Sequence, residues 1–145
     1  MKVHLQRKDW QSVSICHLHT AYVLGRLSKH DEAIRCMGQI LSLVNDGSLV
    51  MNSESLKLVL LIAVTFHNIA VQQIILGYTG EACISSQNAR RLSRMCLTLS
   101  NRYIPTLEST HKRALRDLTT LSKHRNSTKN KKEFSSLMRQ LFDWD

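Results

Sequence analysis

Along most of this 145-residue chain, apolar side chains recur at steps of three and four, and polar or glycine-bearing breaks cut the pattern into helix-sized pieces. From about Asp9 to Leu27, Val13, Cys16, Thr20, Leu24 and Leu27 share one helical face. Ser28-Lys29-His30-Asp31 then supplies a turn and a helix start. A second helix follows from about Asp31 to Val44 on Ala33, Met37, Ile40 and Leu41, and Asn45-Asp46-Gly47 closes it. Ser53 is the expected N-cap of a long third helix reaching about Gly77. Tyr78-Thr79-Gly80 turns the chain into a fourth, from Glu81 to about Leu99. Ile104, Leu107, His111, Ala114, Leu118 and Leu121 predict a fifth, and Pro105 fits because it falls in the first turn, where its missing N–H breaks no helical bond. The fold expected is all-α: antiparallel helical hairpins at about 9–45 and 53–100 and a capping helix at 103–122, in one domain of residues 1–122.

Beyond it, SKHRNSTKNKK has no apolar residue and reads as a solvated basic linker, placed at 123–132. Periodicity returns at 133–145. Phe134, Leu137, Met138, Leu141 and Phe142 fall on one face of a short helix, too short to hold alone, so it must dock on its own domain or on a partner.

Composition supports helices, since 145 residues include one proline and five glycines. The formal charge is +9 and is concentrated late: residues 111–145 hold nine Lys/Arg against four Asp/Glu. That excess predicts attraction to an acidic surface. The basic tail of Lys112, Arg113, Arg116, Lys123, Arg125, Lys129, Lys131 and Lys132 fits phosphates, an acidic protein such as a microtubule, or plain solvation. No aromatic residue lies between Tyr103 and Phe134 to stack bases, which counts against single-stranded nucleic acid. Cys16, Cys36, Cys83 and Cys96 form no CxxC pair, and the first ten residues have no apolar run, so reduced thiols in a cytoplasmic protein are expected. The apolar run Leu56 to Leu76 is as long as a membrane span, yet it contains Lys57, His67, Asn68, Gln72 and Gln73. Burial in a helical core is the expectation.

The two hairpins share a code. In the second, Phe66, Ile69, Ala70, Leu76, Gly77, Ala82, Ser86 and Ala89 stand at positions matched in the first by His17, Thr20, Ala21, Leu24, Leu27, Ala33, Met37 and Ile40. This pattern, with small residues where two helices cross, resembles the tetratricopeptide repeat. The resemblance covers about residues 14–100 and implies a helical-repeat fold that binds proteins. Ala33 and Ala82 are 49 apart where the family has about 34, which implies an insertion of about fifteen residues. Two repeats are fewer than the three usually needed, so the fifth helix is expected to cap the stack, with self-association possible.

In that family the first helices of successive repeats line a groove, which by resemblance implies Leu18, His19, Tyr22, Arg26, His67, Asn68, Val71 and Ile75 as partner contacts. Asn68 matches one position of the subfamily that clamps a carboxylate terminus, but Leu18 and Tyr22 stand where a cation and a second asparagine are needed. An amphipathic partner segment is the better expectation. Cys16 and His19 are three apart without a second pair to complete a metal set, Cys83 has no positioned base, and no phosphate-cradling loop occurs. No catalytic residue, metal or cofactor is expected. The sequence thus predicts a non-enzymatic adaptor or structural subunit of a larger assembly, with an RNA-binding subunit of a ribonucleoprotein as the alternative. His-Asn-Ile-Ala-Val-Gln-Gln also looks like repeats of large ciliary and flagellar proteins, which implies a cilium or microtubule context.

Overall fold

The computed structural model describes residues 9–50 and 55–124. They form five α-helices: α1 Trp10–Arg26, α2 His30–Asn45, α3 Leu56–Leu76, α4 Thr79–Cys96 and α5 Tyr103–His124. No strand occurs among the described residues, so the all-α expectation holds. The ends differ in detail. α4 begins ahead of Glu81 and stops short of Leu99 because Leu97 is extended, with φ −118° and ψ 143°. α5 runs through Lys123 and His124, which places Lys123 on a helix instead of in a linker. Ser53 and the segment from Arg125 onward lie outside the described residues.

Local chemistry fixes where the helices start and turn. The Asp9 carboxylate accepts hydrogen bonds from the Ser12 amide at 3.2 Å and the Ser12 hydroxyl at 2.6 Å, capping the first turn of α1. Both hairpins then turn by one motif. At the end of α1 the Ser28 amide donates to Gly25 and the Lys29 amide to Leu24; at the end of α3 the Gly77 amide donates to Ile74 and the Tyr78 amide to Gln73. Such paired bonds demand a left-handed residue just past the helix. Gly77 supplies it at φ 78° without strain, whereas Ser28 adopts φ 59° with a Cβ in the way.

Each helix packs on the next in sequence, and α1 with α3, and α3 with α5, also touch. α3 therefore has neighbours on several sides. Its buried residues are Leu58, Val59, Ile62, Ala63, Thr65, His67, Ile69 and Ala70, which leave little polar face. Among the described helices only α3 is long and apolar enough to cross a membrane, and half of that window is buried in the protein. α4 answers α3 with small side chains. Gly80, Ala82, Cys83, Ser85, Ser86, Ala89 and Ser93 are all buried, so the two backbones can approach closely.

A 49-residue shift relates the parts. Ala21, Ala33, Met37 and Ile40 are buried in the first hairpin, and Ala70, Ala82, Ser86 and Ala89 are buried in the second. The same shift carries Leu58, Ile62, Thr65 and Ile69 of α3 onto Leu107, His111, Ala114 and Leu118 of α5, again all buried. Cores form accordingly: Ala33 and Met37 with Ile69, then Ala82 and Cys83 with Ala114 and Leu118. α5 packs on α4 and touches α3.

Two stability changes of opposite sign follow. Ser28→Gly relieves the left-handed strain and raises unfolding free energy by about 0.5–1 kcal/mol, while Ala82→Leu forces α3 and α4 apart and lowers it by about 1–3 kcal/mol. Urea denaturation of the two variants beside the parent measures both.

Candidate functional site

Where α1, α3 and α5 lie side by side, two open depressions form. The first, of about 310 Å³, has Tyr22, Gly25 and Arg26 of α1 on one side and Asn68, Val71, Gln72 and Ile75 of α3 on the other, with His30 at its edge. The second, of about 440 Å³, has Val71, Ile74 and Ile75 of α3 facing Ser109, Thr110 and Arg113 of α5. Val71 and Ile75 border both. They form an apolar ridge between the two depressions, a grooved face shared by three helices.

Five of the expected contacts meet there: Tyr22, Arg26, Asn68, Val71 and Ile75. Tyr22 is 67% exposed and Ile75 56%, large for apolar or aromatic side chains. Three are placed elsewhere. Leu18 turns inward against the core of Ala21, Met37 and Ile69, and His19 is exposed on α1 but borders neither depression. His67 is buried beneath α5. The resemblance placed these residues on one lining, but Leu18 faces the core and α5 covers His67.

The His67 contacts define its proton position. Thr110 Oγ1 donates to the Thr106 carbonyl at 3.1 Å, so the His67 Nε2–H donates to Thr110 Oγ1 at 2.9 Å. Nδ1 then accepts from the Tyr103 hydroxyl at 3.1 Å, and the two rings meet edge-on, 5.5 Å apart. Burial holds the His67 pKa below the usual imidazole value, opposed by a contact with Asn68, and it pushes the Tyr103 phenol up to about 12.

A second histidine joins α4 to α5. Ser86 Oγ donates to the Cys83 carbonyl at 3.0 Å, so His111 Nδ1–H donates to Ser86 Oγ at 2.7 Å. Burial first, then the charges of Arg90 and Arg94, bring the His111 pKa down to about 4, against the pull of Glu108. Glu108 in turn binds Arg90 Nε at 2.8 Å and Arg94 Nη2 at 3.2 Å. Both histidines are thus neutral anchors of α5.

Gly25, His30 and Gln72 are groove residues that the resemblance did not single out. A Cβ on Gly25 would lie 3.0 Å from Gln72 Nε2, and Gln72 Oε1 sits 2.6 Å from His30 Nδ1. The absent side chain at Gly25 leaves room for this pair. A glycine within a helix, unfavourable by about 1 kcal/mol against alanine, was the available signal of a close approach. On α5, Arg113 borders the groove and Lys112, Arg116 and Lys123 are exposed. Arg125, Lys129, Lys131 and Lys132, with Phe134, Leu137, Met138, Leu141 and Phe142, lie outside the described residues.

Burial keeps three of the cysteines in the thiol form. Burial and the Asp117 charge push the Cys83 thiol up to about 12, far from the thiolate that a nucleophile needs. Cys36 lies 3.5 Å from His17 Nδ1, and burial raises its pKa as well. Among the described residues no three His, Cys, Asp or Glu side chains cluster to hold a metal ion. No family model, curated protein or solved structure matches the chain.

The histidine anchors make stability pH-dependent. Their folded pKa values lie below the unfolded value of about 6.5, so their contribution is complete above that pH and fades as pH falls from about 6.5 toward 4. Unfolding free energies from urea titrations at pH 7 and pH 5 should differ by on the order of 1–2 kcal/mol. His111→Gln, which cannot titrate, should show a visibly smaller difference.

Proposed function

We propose that this protein is a non-enzymatic helical-repeat adaptor of the tetratricopeptide type, which holds an apolar segment of a protein partner across α1, α3 and α5. One observation carries the reading: two depressions on either side of an apolar ridge, Val71 and Ile75, one bordered by Arg26 and the other by Arg113. An occupant that fits places apolar side chains in the depressions and carboxylates toward the two guanidiniums. The repeated Schellman turns and the 49-residue shift support a repeat architecture. The long-range field of a chain at +9 adds attraction to acidic surfaces such as a microtubule. The cysteine pattern supports a cytoplasmic place, and the resemblance of His-Asn-Ile-Ala-Val-Gln-Gln supports a ciliary assembly.

The test starts by photo-crosslinking from position 75 in a native extract and identifying the captured peptide by mass spectrometry. Affinity for that peptide should fall about tenfold in Ile75→Ser and in Arg113→Glu. Leu99→Ser, 86% exposed and away from the groove, should leave it unchanged. Equal affinity in all three proteins would refute the groove. Binding to RNA with a steep salt slope, reduced by changes at Lys112 and Arg116 alone, would replace this reading with the ribonucleoprotein one.

A further inference from the structure

We infer that a second copy of this chain packs antiparallel on the outer face of α1, forming a two-fold dimer. Four of the ten large apolar or aromatic side chains exposed among the described residues, Ile15, Tyr22, Val23 and Leu27, lie on α1 or at its end. Exposed apolar surface gathered in this way marks an interface. Among the described helices α1 touches only α2 and α3. The 49-residue shift places Thr20 where α3 has Ile69, which packs on Ala33 and Met37 of α2. On α1 that side is open: Ser12, Cys16, Thr20 and Val23 form an exposed stripe, with Leu27 just past the helix. Its hydroxyls are already bonded within the helix, Ser12 to the Asp9 carboxylate at 2.6 Å and Thr20 to the Cys16 carbonyl at 2.9 Å. Covering the stripe therefore strands no hydroxyl.

Charge and symmetry select a second copy as the occupant. Arg26, the last residue of α1, is its sole Asp, Glu, Lys or Arg, so the stripe offers a strongly acidic or basic partner no counter-charge. Residues 9–50 hold three Lys/Arg against four Asp/Glu, while residues 55–124 hold nine against three. Two copies that meet through α1 join their near-neutral ends and keep their cationic ends apart. Head-to-tail stacking on α5 gives no apolar match, because Lys112, Arg116, Thr119 and Lys123 are exposed there. The α1 stripe, in contrast, complements itself. In an antiparallel pair centred between His19 and Thr20, Cys16 meets Val23 of the other copy and Ser12 meets Leu27, each contact occurring twice. The same register brings Asp9 opposite the turn that carries Lys29, both exposed, and sets the helix dipoles head to tail. Tyr22, one residue before Val23, lies about 100° round the helix on the groove side, so the groove stays open. Two joined copies thus present two grooves; the gain in avidity rests on the groove reading, whereas the dimer itself does not.

A contact along one helix of about 25 Å is at the low end of specific interfaces, so dissociation is expected on the order of 10 µM. Sedimentation equilibrium of the full chain should show the mass rising with concentration from 16.6 kDa to twice that value and no further. Val23→Glu, at a position 54% exposed and so free of the core, should weaken the dimer about tenfold or more. Ile75→Ser, in the groove, should leave it unchanged, and peptide affinity in that variant reports on the groove separately. Val23→Cys gives a second readout: after mild oxidation the thiol introduced at position 23 should bond to Cys16 of the other copy, as mapped by mass spectrometry. The parent should form no Cys16 to Cys16 bond, because those residues are displaced by about 10 Å along the paired helices, past the ~7 Å reach of a disulfide. A mass of 16.6 kDa at every concentration would overturn the inference, as would a dimer that Val23→Glu leaves intact. Growth beyond two copies would overturn it in favour of head-to-tail stacking. A Cys16 to Cys16 disulfide in the parent would overturn the antiparallel register, and loss of the dimer in Ile75→Ser would move the contact to the groove.

Discussion

The close approach of α3 and α4 through small side chains is the contact on which the other packing depends. Ala70 and Ala82 are fully buried, and Ala89 and Ser93 extend the same small surface along α4. Because α4 sits so close, α3 is buried over most of its circumference and can carry apolar residues nearly all round. A larger residue at the crossing would move α4, and with α4 would move α5, since Leu118 and Ala114 reach the core through Ala82 and Cys83. Small residues here set the distance between helices, and distance sets what every later helix can touch.

That geometry also explains the position of the groove. α2 and α4 cover one side of α1, α3 and α5, and the opposite side of those three helices remains open between them. Two buried histidines hold α5 in place as the far wall. His67 binds Thr110 and Tyr103 from below, and His111 binds Ser86 across the α4 boundary. Each is neutral with both its role and its tautomer set by a hydroxyl that already donates elsewhere, so the anchors are polar without being charged. Arg113 is presented to the groove by the same helix that the histidines secure.

Helical periodicity was enough to locate five helices, because burial on one face imposes a 3.6-residue rhythm that survives in a single sequence. Ends were less legible. Leu97 leaves the helix while still apolar, and Ser28 takes a left-handed conformation that its residue type does not advertise. The 49-residue spacing, read as a shorter repeat with an insertion, recurs between α3 and α5 as a relation among buried positions. Thr65 hides that relation in the sequence, since a polar residue in a core looks like a surface residue until its partners are known.

The sequence by itself determined the helices, the tight turns, the alanine crossings and the basic bias of the chain, all of which depend on residues near one another or on simple sums. Only the tertiary structure decided which residues of the α3 stripe face outward. Asn68 and Val71 border the groove while His67, one position away from Asn68, lies under α5. A helical turn separates neighbours by about 100°, so adjacent letters can belong to opposite environments, and which environment each meets depends on a helix more than thirty residues further along the chain.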